Sequence, residues 1–186
     1  MFRALSLSLA AGEVLRIAGA NGRGKTSLLR ILCGLLAPTA GDVRWKGEQI
    51  GGLREDYSRQ LVYIGHAPAV KDELTAAENL SIACRLAGNA RSSSDVSAAL
   101  RTLEVPQSTL VKTLSQGQRR RAALARLWLS RAIPLWLLDE PLAALDAQAA
   151  RLVEELVAAH AAQGGIVIYT THQEARLEGR VLSLDA

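Results

Sequence analysis

The chain has 186 residues, of which 49% are hydrophobic and 22% charged, so its composition fits one folded domain and excludes a disordered or fibrous protein. No apolar run approaches the roughly 18 residues of a membrane-spanning helix, so we expect a cytoplasmic chain that reaches a membrane only through a partner. The formal net charge of +4 is scattered except at 119–121, and charge alone therefore indicates no nucleic-acid partner.

The predicted elements alternate between strands and helices. An apolar run at 13–18 predicts a first strand, which a glycine-rich turn joins to a helical pattern that starts at Ser27. Further apolar runs bounded by turn residues predict strands at 42–45, 61–64, 135–138, 166–169 and 181–184. This order predicts an α/β fold with a layered core.

Strand signals disappear in the middle of the chain, where helices are predicted at 77–86, 95–103 and 116–129. A cluster of Gly, Asn and Ser at 88–94 predicts a surface loop among them. Cys33 and Cys84 have no Cys or His at ligand spacing, so two buried, inert thiols are expected. We therefore expect a single domain over 1–186, made of an α/β core at 1–67 and 131–186 and an inserted helical subdomain at 68–130.

The turn after the first strand fits the phosphate-loop pattern in full, in the strand-to-helix setting that the pattern requires. Glycines let the backbone wrap its amides around phosphate oxygens, and the following helix presents its positive end to the same charge. We expect the loop and Ser27 to bind ATP, with Lys25 on the β and γ phosphates and the Thr26 hydroxyl on Mg²⁺. The loop residues are Gly19, Ala20, Asn21, Gly22, Arg23, Gly24, Lys25 and Thr26.

A second motif ends the strand predicted at 135–138. This apolar strand stops abruptly at two acids, Asp139 and Glu140, as buried strands do where they deliver carboxylates to a ligand crevice. Asp139 is expected to hold Mg²⁺ through water, and Glu140 is expected to accept the proton of the water that attacks ATP. Together with the phosphate loop, these acids predict both halves of one hydrolytic site.

The segment 114–121, Leu-Ser-Gln-Gly-Gln-Arg-Arg-Arg, matches the ABC signature, and through it the chain resembles the ABC ATPases over nearly its whole length. The resemblance implies an ABC-type P-loop NTPase, with a RecA-like sheet, flanking helices and an inserted helical subdomain. It also implies a head-to-tail homodimer, in which one protomer contributes to the ATP site of the other through Ser115, Gly117, Gln118 and the D-loop residue Asp146. His172 resembles the switch histidine that senses the γ phosphate, and so joins Glu140 and Lys25 as a catalytic candidate.

The segment that follows the strand at 61–64 indicates a particular subfamily of the ABC ATPases. Most ABC ATPases carry Gln at the Q-loop position, whereas this chain has His66 there, followed by Lys71 and by Leu-Thr-Ala-Ala-Glu-Asn-Leu at 74–80. This pattern resembles the CcmA subfamily, the ATP-binding subunits of the haem exporter in cytochrome c maturation. Segments 24–30, 123–129 and 164–173 agree with it. An imidazole binds metals but lacks the paired amide groups of Gln, so His66 is a further candidate metal ligand.

The subfamily resemblance implies an ABC-type haem transporter ATPase on the cytoplasmic face of the inner membrane. It implies pairing with the membrane subunit CcmB and action with CcmC and CcmD on haem delivery through CcmE. ABC proteins normally have a strand before the segment that matches 2–6, and in this sequence that strand is absent. An aromatic upstream of the phosphate loop stacks on adenine in the family, and here that aromatic is Phe2. We therefore expect the missing strand to weaken the affinity for ATP.

Two alternatives stay open. One is the ATPase subunit of another ABC exporter, and the other is a regulatory subunit that binds ATP but turns it over poorly. A chromosome or repair ATPase would need long coiled-coil arms, and the sequence has no sustained heptads between Pro68 and Ser130. A small-molecule kinase would share the phosphate loop but would have no need of the signature.

Overall fold

The computed structural model of the chain describes residues 5–172 and 177–185. Its strands are β1 (Val14–Ala18), β2 (Arg44–Trp45), β3 (Glu48–Gln49), β4 (Leu61–Ile64), β5 (Leu135–Asp139), β6 (Ile166–Thr170) and β7 (Arg180–Ser183). Five of them form one parallel sheet in the order β4-β5-β6-β1-β7, and β2 and β3 pair separately as an antiparallel hairpin. This parallel sheet with helices packed on it confirms the predicted α/β fold.

The helices are α1 (Lys25–Leu32), α2 (Ile50–Ser58), α3 (Ala76–Leu86), α4 (Ser93–Thr102), α5 (Gln116–Leu129) and α6 (Ala147–Ala162). Three of them start with reciprocal capping boxes, which satisfy amide groups that the first helical turn leaves free. The pairs are Thr75 with Glu78, Ser92 with Asp95, and Ser115 with Gln118. The bounds of α3, α4 and α5 confirm the three helices predicted in the middle of the chain. Within the described ranges, none of the helices is both long and apolar enough to cross a membrane.

Two local predictions need correction. The strand predicted at 42–45 is only the two-residue β2, which lies outside the core sheet because the chain turns back at once through Lys46 and Gly47, both with positive φ. The loop predicted at 88–94 is shorter than expected. The last serines of the predicted loop belong to α4, because Ser92 is the N-cap of that helix.

Alternate residues along the sheet face two hydrophobic clusters. One cluster joins Leu15, Leu137 and Ile168 to α1, and the other contains Trp136 and Tyr169. All five residues of β5 are buried, which explains why this strand reads as a continuous apolar run. The parallel register sets Asp139 opposite Thr170, so the carboxyl ends of β5, β6 and β1 meet at one edge of the sheet.

The two cysteines differ in burial. Cys84 is buried in α3, whereas Cys33 is only partly buried because it is the C-cap of the short α1, where the chain leaves the sheet. Burial raises the pKa of both thiols. The prediction of two buried thiols is therefore right for Cys84 and wrong for Cys33.

Candidate functional site

The phosphate-loop segment joins the carboxyl end of β1 to the start of α1. Gly22 has φ 80° and Gly24 has φ 99°, a left-handed backbone that glycine adopts without steric strain. Gly24 is also the N-cap of α1, so the amides at the positive end of that helix face the loop. The predicted strand, turn and helix are all present, and the loop residues 20–23 are exposed to solvent.

Lys25 is the first residue of α1, and its ammonium group lies within the curve of the loop. The side chain is largely buried, and Nζ donates to the carbonyl oxygens of Gly19 at 2.6 Å and Ala20 at 3.1 Å. Among the described residues, this ammonium group has carbonyl partners but no ion pair with a carboxylate, so its charge is uncompensated there. This arrangement suits an anionic ligand.

Asp185 contacts the loop from the end of β7, a contact that sequence reasoning missed. The Ala20 amide donates to both carboxylate oxygens of Asp185, at 3.0 and 3.2 Å, and the Arg23 guanidinium forms an exposed ion pair with it at 3.3 Å. Only the parallel register of β7 with β1 brings Asp185 there, and no local signal in the sequence indicates it.

The two predicted magnesium ligands lie side by side. The Thr26 hydroxyl donates to Asp139 Oδ2 at 2.9 Å, and the Thr170 hydroxyl donates to Asp139 Oδ1 at 2.7 Å. Asp139 is only 2% exposed, so both of its oxygens are fixed by neighbouring hydroxyl groups. Thr170 was not predicted, although its position at the end of a neighbouring strand could have indicated it.

Glu140 and His172 also meet at this edge of the sheet. The His172 amide donates to Glu140 Oε2 at 3.1 Å, and His172 Nε2 lies 3.4 Å from Glu140 Oε1. The Glu140 backbone is left-handed, with φ 51°, and its amide donates to Thr170 Oγ1 at 2.9 Å. Thr170 therefore links the two acids, Asp139 through its hydroxyl proton and Glu140 through its oxygen.

The signature residues start α5. Ser115 Oγ accepts from the Gln118 amide at 3.2 Å, and Gln118 Oε1 accepts from the Ser115 amide at 2.9 Å. A Cβ added to Gly117 would stand 3.0 Å from the Ala144 carbonyl oxygen, so the loop before α6 packs closely on this helix. Asp146 is the N-cap of α6, and the hydrogen bond from the Ala149 amide lowers the pKa of its carboxyl group.

No hydrogen bond or ion pair among the described residues links these signature and D-loop side chains to the phosphate loop of the same chain. Two other candidates gain no support as ligands. His66 is exposed, and its only hydrogen bond among the described residues is made by its backbone carbonyl, which accepts from Arg120 Nη1 at 3.2 Å. Within 5–172 and 177–185, no cluster of three His, Cys, Asp or Glu side chains is suited to a metal. Phe2 lies outside the described residues.

Comparison with known proteins agrees with this geometry. Residues 2–143 match the ABC transporter family. The Aromatoleum aromaticum cytochrome c biogenesis ATP-binding export protein CcmA is 53% identical over 177 residues, 94% of this chain and 83% of that protein. The Nitrosospira multiformis protein of the same name is 44% identical over 184 residues, 98% of this chain and 89% of the relative.

Solved structures show the same fold. A dimeric ATP-binding cassette in a post-hydrolysis state with ADP and Pi superposes with a TM-score of 0.83 at 25% identity, covering 95% of this chain and 83% of that one. A Pyrococcus furiosus ABC transporter ATP-binding protein gives 0.82 at 23%, covering 97% and 88%. The ABC-type fold and the resemblance to CcmA are confirmed. The chain therefore belongs to the ABC transporter family, in the group of cytochrome c biogenesis ATP-binding export proteins.

Proposed function

We propose that this chain binds ATP with Mg²⁺, hydrolyses ATP to ADP and phosphate, and so powers haem export or haem delivery in c-type cytochrome biogenesis. The observation that carries the proposal is the hydrogen-bonded network at the strand ends, where Thr26 bonds Asp139 and His172 bonds Glu140. It combines metal-binding oxygens and a nearly buried carboxylate beside a phosphate loop, the parts that hydrolysis of a nucleoside triphosphate requires.

Thr26 and Asp139 are the residues that would hold Mg²⁺. This ion prefers hard oxygen ligands and usually keeps several waters, and the hydroxyl and carboxylate oxygens here are 2.9 Å apart. When bound with ATP, Mg²⁺ neutralises negative charge on the β and γ phosphate oxygens. Lys25 supplies a second positive charge from within the loop, and the amides at the start of α1 supply partial charges of the same sign.

Glu140 is the proposed general base. Its carboxylate takes the proton of the water whose oxygen bonds to the γ phosphorus, while the bond from that phosphorus to the β–γ bridging oxygen breaks to release ADP. Removing a positioned base of this kind lowers a rate by roughly 10² to 10⁴-fold. His172 contacts Glu140 through its backbone amide and through Nε2, which lies 3.4 Å from Glu140 Oε1, and we propose that its imidazole also contacts the γ phosphate.

The signature residues are proposed to act on ATP bound by a second protomer. Ser115, Gly117 and Gln118 lie at a helix N-terminus, which favours an anion, and Asp146 lies in the adjoining loop. The solved cassette with ADP and Pi is dimeric, which supports a homodimer, and we propose that it is head-to-tail with two shared sites.

The export function named for the relatives supports a membrane partner. We propose that the chain sits at the cytoplasmic face of the inner membrane against a subunit of the CcmB type, with CcmC, CcmD and CcmE completing haem delivery. The segment 68–130 would then act as a helical subdomain inserted in the nucleotide-binding core.

Steady-state ATP hydrolysis of Glu140→Gln tests the proposal. The substitution keeps the size of the side chain but removes the base, so we expect the rate to fall roughly 10² to 10⁴-fold while ATP still binds. Glu155→Gln, an exposed change on α6, is the matched control and should hydrolyse ATP at the wild-type rate. A wild-type rate for Glu140→Gln would contradict the proposed role of Glu140.

A further inference from the structure

Arg120, on the first turns of α5, is buried although its neighbours in sequence are not. Only 3% of the residue is exposed, and its guanidinium group bonds four backbone carbonyl oxygens. Nη1 donates to Gly65 at 2.8 Å and to His66 at 3.2 Å, and Nη2 donates to Asp139 at 2.8 Å and to Glu140 at 2.7 Å. One side chain therefore connects the signature helix to the loops that follow β4 and β5.

The burial of this charge indicates a specific role. Burial lowers the pKa of Arg120, and the negative charges of Asp139 and Glu140 oppose that shift. A planar guanidinium presents its donors in a fixed fork, which here matches two pairs of carbonyl groups, whereas an ammonium group cannot reproduce that geometry. By contrast, Arg119 and Arg121 form ion pairs with the exposed acids Asp72 and Glu104.

The contact with Glu140 matters because the backbone there is strained. A left-handed backbone is unfavourable for a residue with a side chain and persists only where the surroundings fix it. At Glu140 the amide is fixed by Thr170, and the carbonyl oxygen accepts from Arg120 Nη2 at 2.7 Å and from the Ala143 amide at 3.1 Å. Loss of the Arg120 contact would remove the shorter of the two hydrogen bonds to this carbonyl oxygen, and so loosen the backbone that carries the carboxylate.

We propose that Arg120 is a positioning residue for ATP hydrolysis, which fixes the backbone of Glu140 and couples it to the position of α5. Ser115 caps the same helix. If α5 moves when the signature residues bind ATP, the Arg120 side chain would therefore move the Glu140 backbone with it. This inference rests on the proposed role of Glu140 as the base. The reaction is the same ATP hydrolysis, but Arg120 is proposed to contact neither ATP nor the attacking water.

The test compares kcat and KM for ATP in Arg120→Lys and Arg120→Gln with Arg121→Lys as the control on the same helix. We expect kcat to fall roughly 10- to 100-fold, as for a small misplacement of a catalytic group. KM for ATP should stay within about threefold, because the loop that binds ATP is untouched. Arg121→Lys should retain wild-type kcat, because lysine can keep the ion pair with Glu104.

A double substitution separates positioning from loss of structure. If Arg120 acts through Glu140, adding Arg120→Lys to Glu140→Gln should change the residual rate less than about twofold. Guanidinium added at millimolar concentration should also restore part of kcat in Arg120→Ala, and should leave Arg121→Ala unchanged.

Three results would overturn the inference: a wild-type kcat in Arg120→Lys, an equal loss of rate in both backgrounds, or failure of both Arg120→Lys and Arg120→Gln to fold, as judged by circular dichroism. The last would make Arg120 a structural residue. If Glu140→Gln itself hydrolyses ATP normally, the proposed function fails, and that outcome is distinct from failure of this inference alone.

Discussion

The strand-end site and the start of α5 differ in how their polar groups are satisfied. At the strand ends, nearly buried carboxylates bond to hydroxyl and amide groups from other elements, as Asp139 does with Thr26 and Thr170. At the start of α5, Ser115 is exposed, and its capping box with Gln118 uses only groups of the same helix. The first half of the proposed site is thus preorganised within one chain, and the second offers an open helix N-terminus to another molecule.

Loss of Lys25 should have the largest effect of the three changes that follow. We expect Lys25→Met to lower the rate of ATP hydrolysis by about 10² to 10³-fold, as removal of a preorganised donor to a developing negative charge does. The exposed Lys46, which lies over the ring of Trp45, provides the control Lys46→Met. A Lys25→Met rate within twofold of wild type would show that the loop half of the site does not act on phosphate.

The signature half can be tested with a matched pair of helix caps. Ser115 and Ser92 form the same capping box on α5 and α4, so replacing either by Ala should reduce the free energy of unfolding by about 1 kcal/mol. Only Ser115→Ala should also lower hydrolysis, by roughly 10-fold if a charge-assisted hydrogen bond to phosphate is lost. Denaturant unfolding and ATPase assays of both variants check this. Equal activity in the two variants would confine Ser115 to a capping role.

The smallest effect concerns the opposite end of the sheet, where His160 stacks on Trp136 at 3.8 Å between ring centroids. Burial lowers the pKa of His160, and the nearby carbonyls of Arg131 and Pro134 offset only part of that shift. The unfolded chain therefore binds more protons below about pH 6.5, and the free energy of unfolding falls as pH decreases from there toward the lowered pKa, by at most about 1.4 kcal/mol per pH unit.

His160→Phe keeps a ring beside Trp136 but removes the titration. Denaturant unfolding at pH 7.5 and 5.5 should therefore show a smaller pH dependence than the wild type has. Hydrolysis at pH 7.5 should stay near wild type, since His160 packs on Trp136 near the start of β5, whereas Asp139 ends that strand. The same pH dependence in both proteins would mean that other groups cause the loss of stability.

The elements predicted best from sequence are those with both a regular local pattern and a recognisable chemical motif. The apolar strand that ends in Asp139 and Glu140 is recognisable because β5 is buried on both faces, and α5 is recognisable from its cap and its length. The hairpin strand β2 was predicted less well, because two residues carry no period. The division into core and helical subdomain, the site roles and the trans contacts stay predictions.

Contacts distant in sequence were not predictable. Arg119, Arg120 and Arg121 are identical in type, and only the helical turn of about 100° per residue and the packing of α5 decide which one is buried. Thr170 and Asp185 likewise gain their roles from strand register, which aligns them with Asp139 and Ala20. These positions show where a three-dimensional arrangement adds chemistry that a linear motif lacks.

The central claim is that the preorganised half and the open half of the site join across two protomers. Light scattering of Glu140→Gln with ATP and Mg²⁺ tests it most directly, with the double variant Glu140→Gln, Ser115→Ala measured alongside. We expect Glu140→Gln to accumulate as a dimer with ATP and to return to monomer without it, and the double variant to stay largely monomeric. A monomer in every condition, or an ATP-dependent dimer that Ser115→Ala leaves intact, would contradict the account.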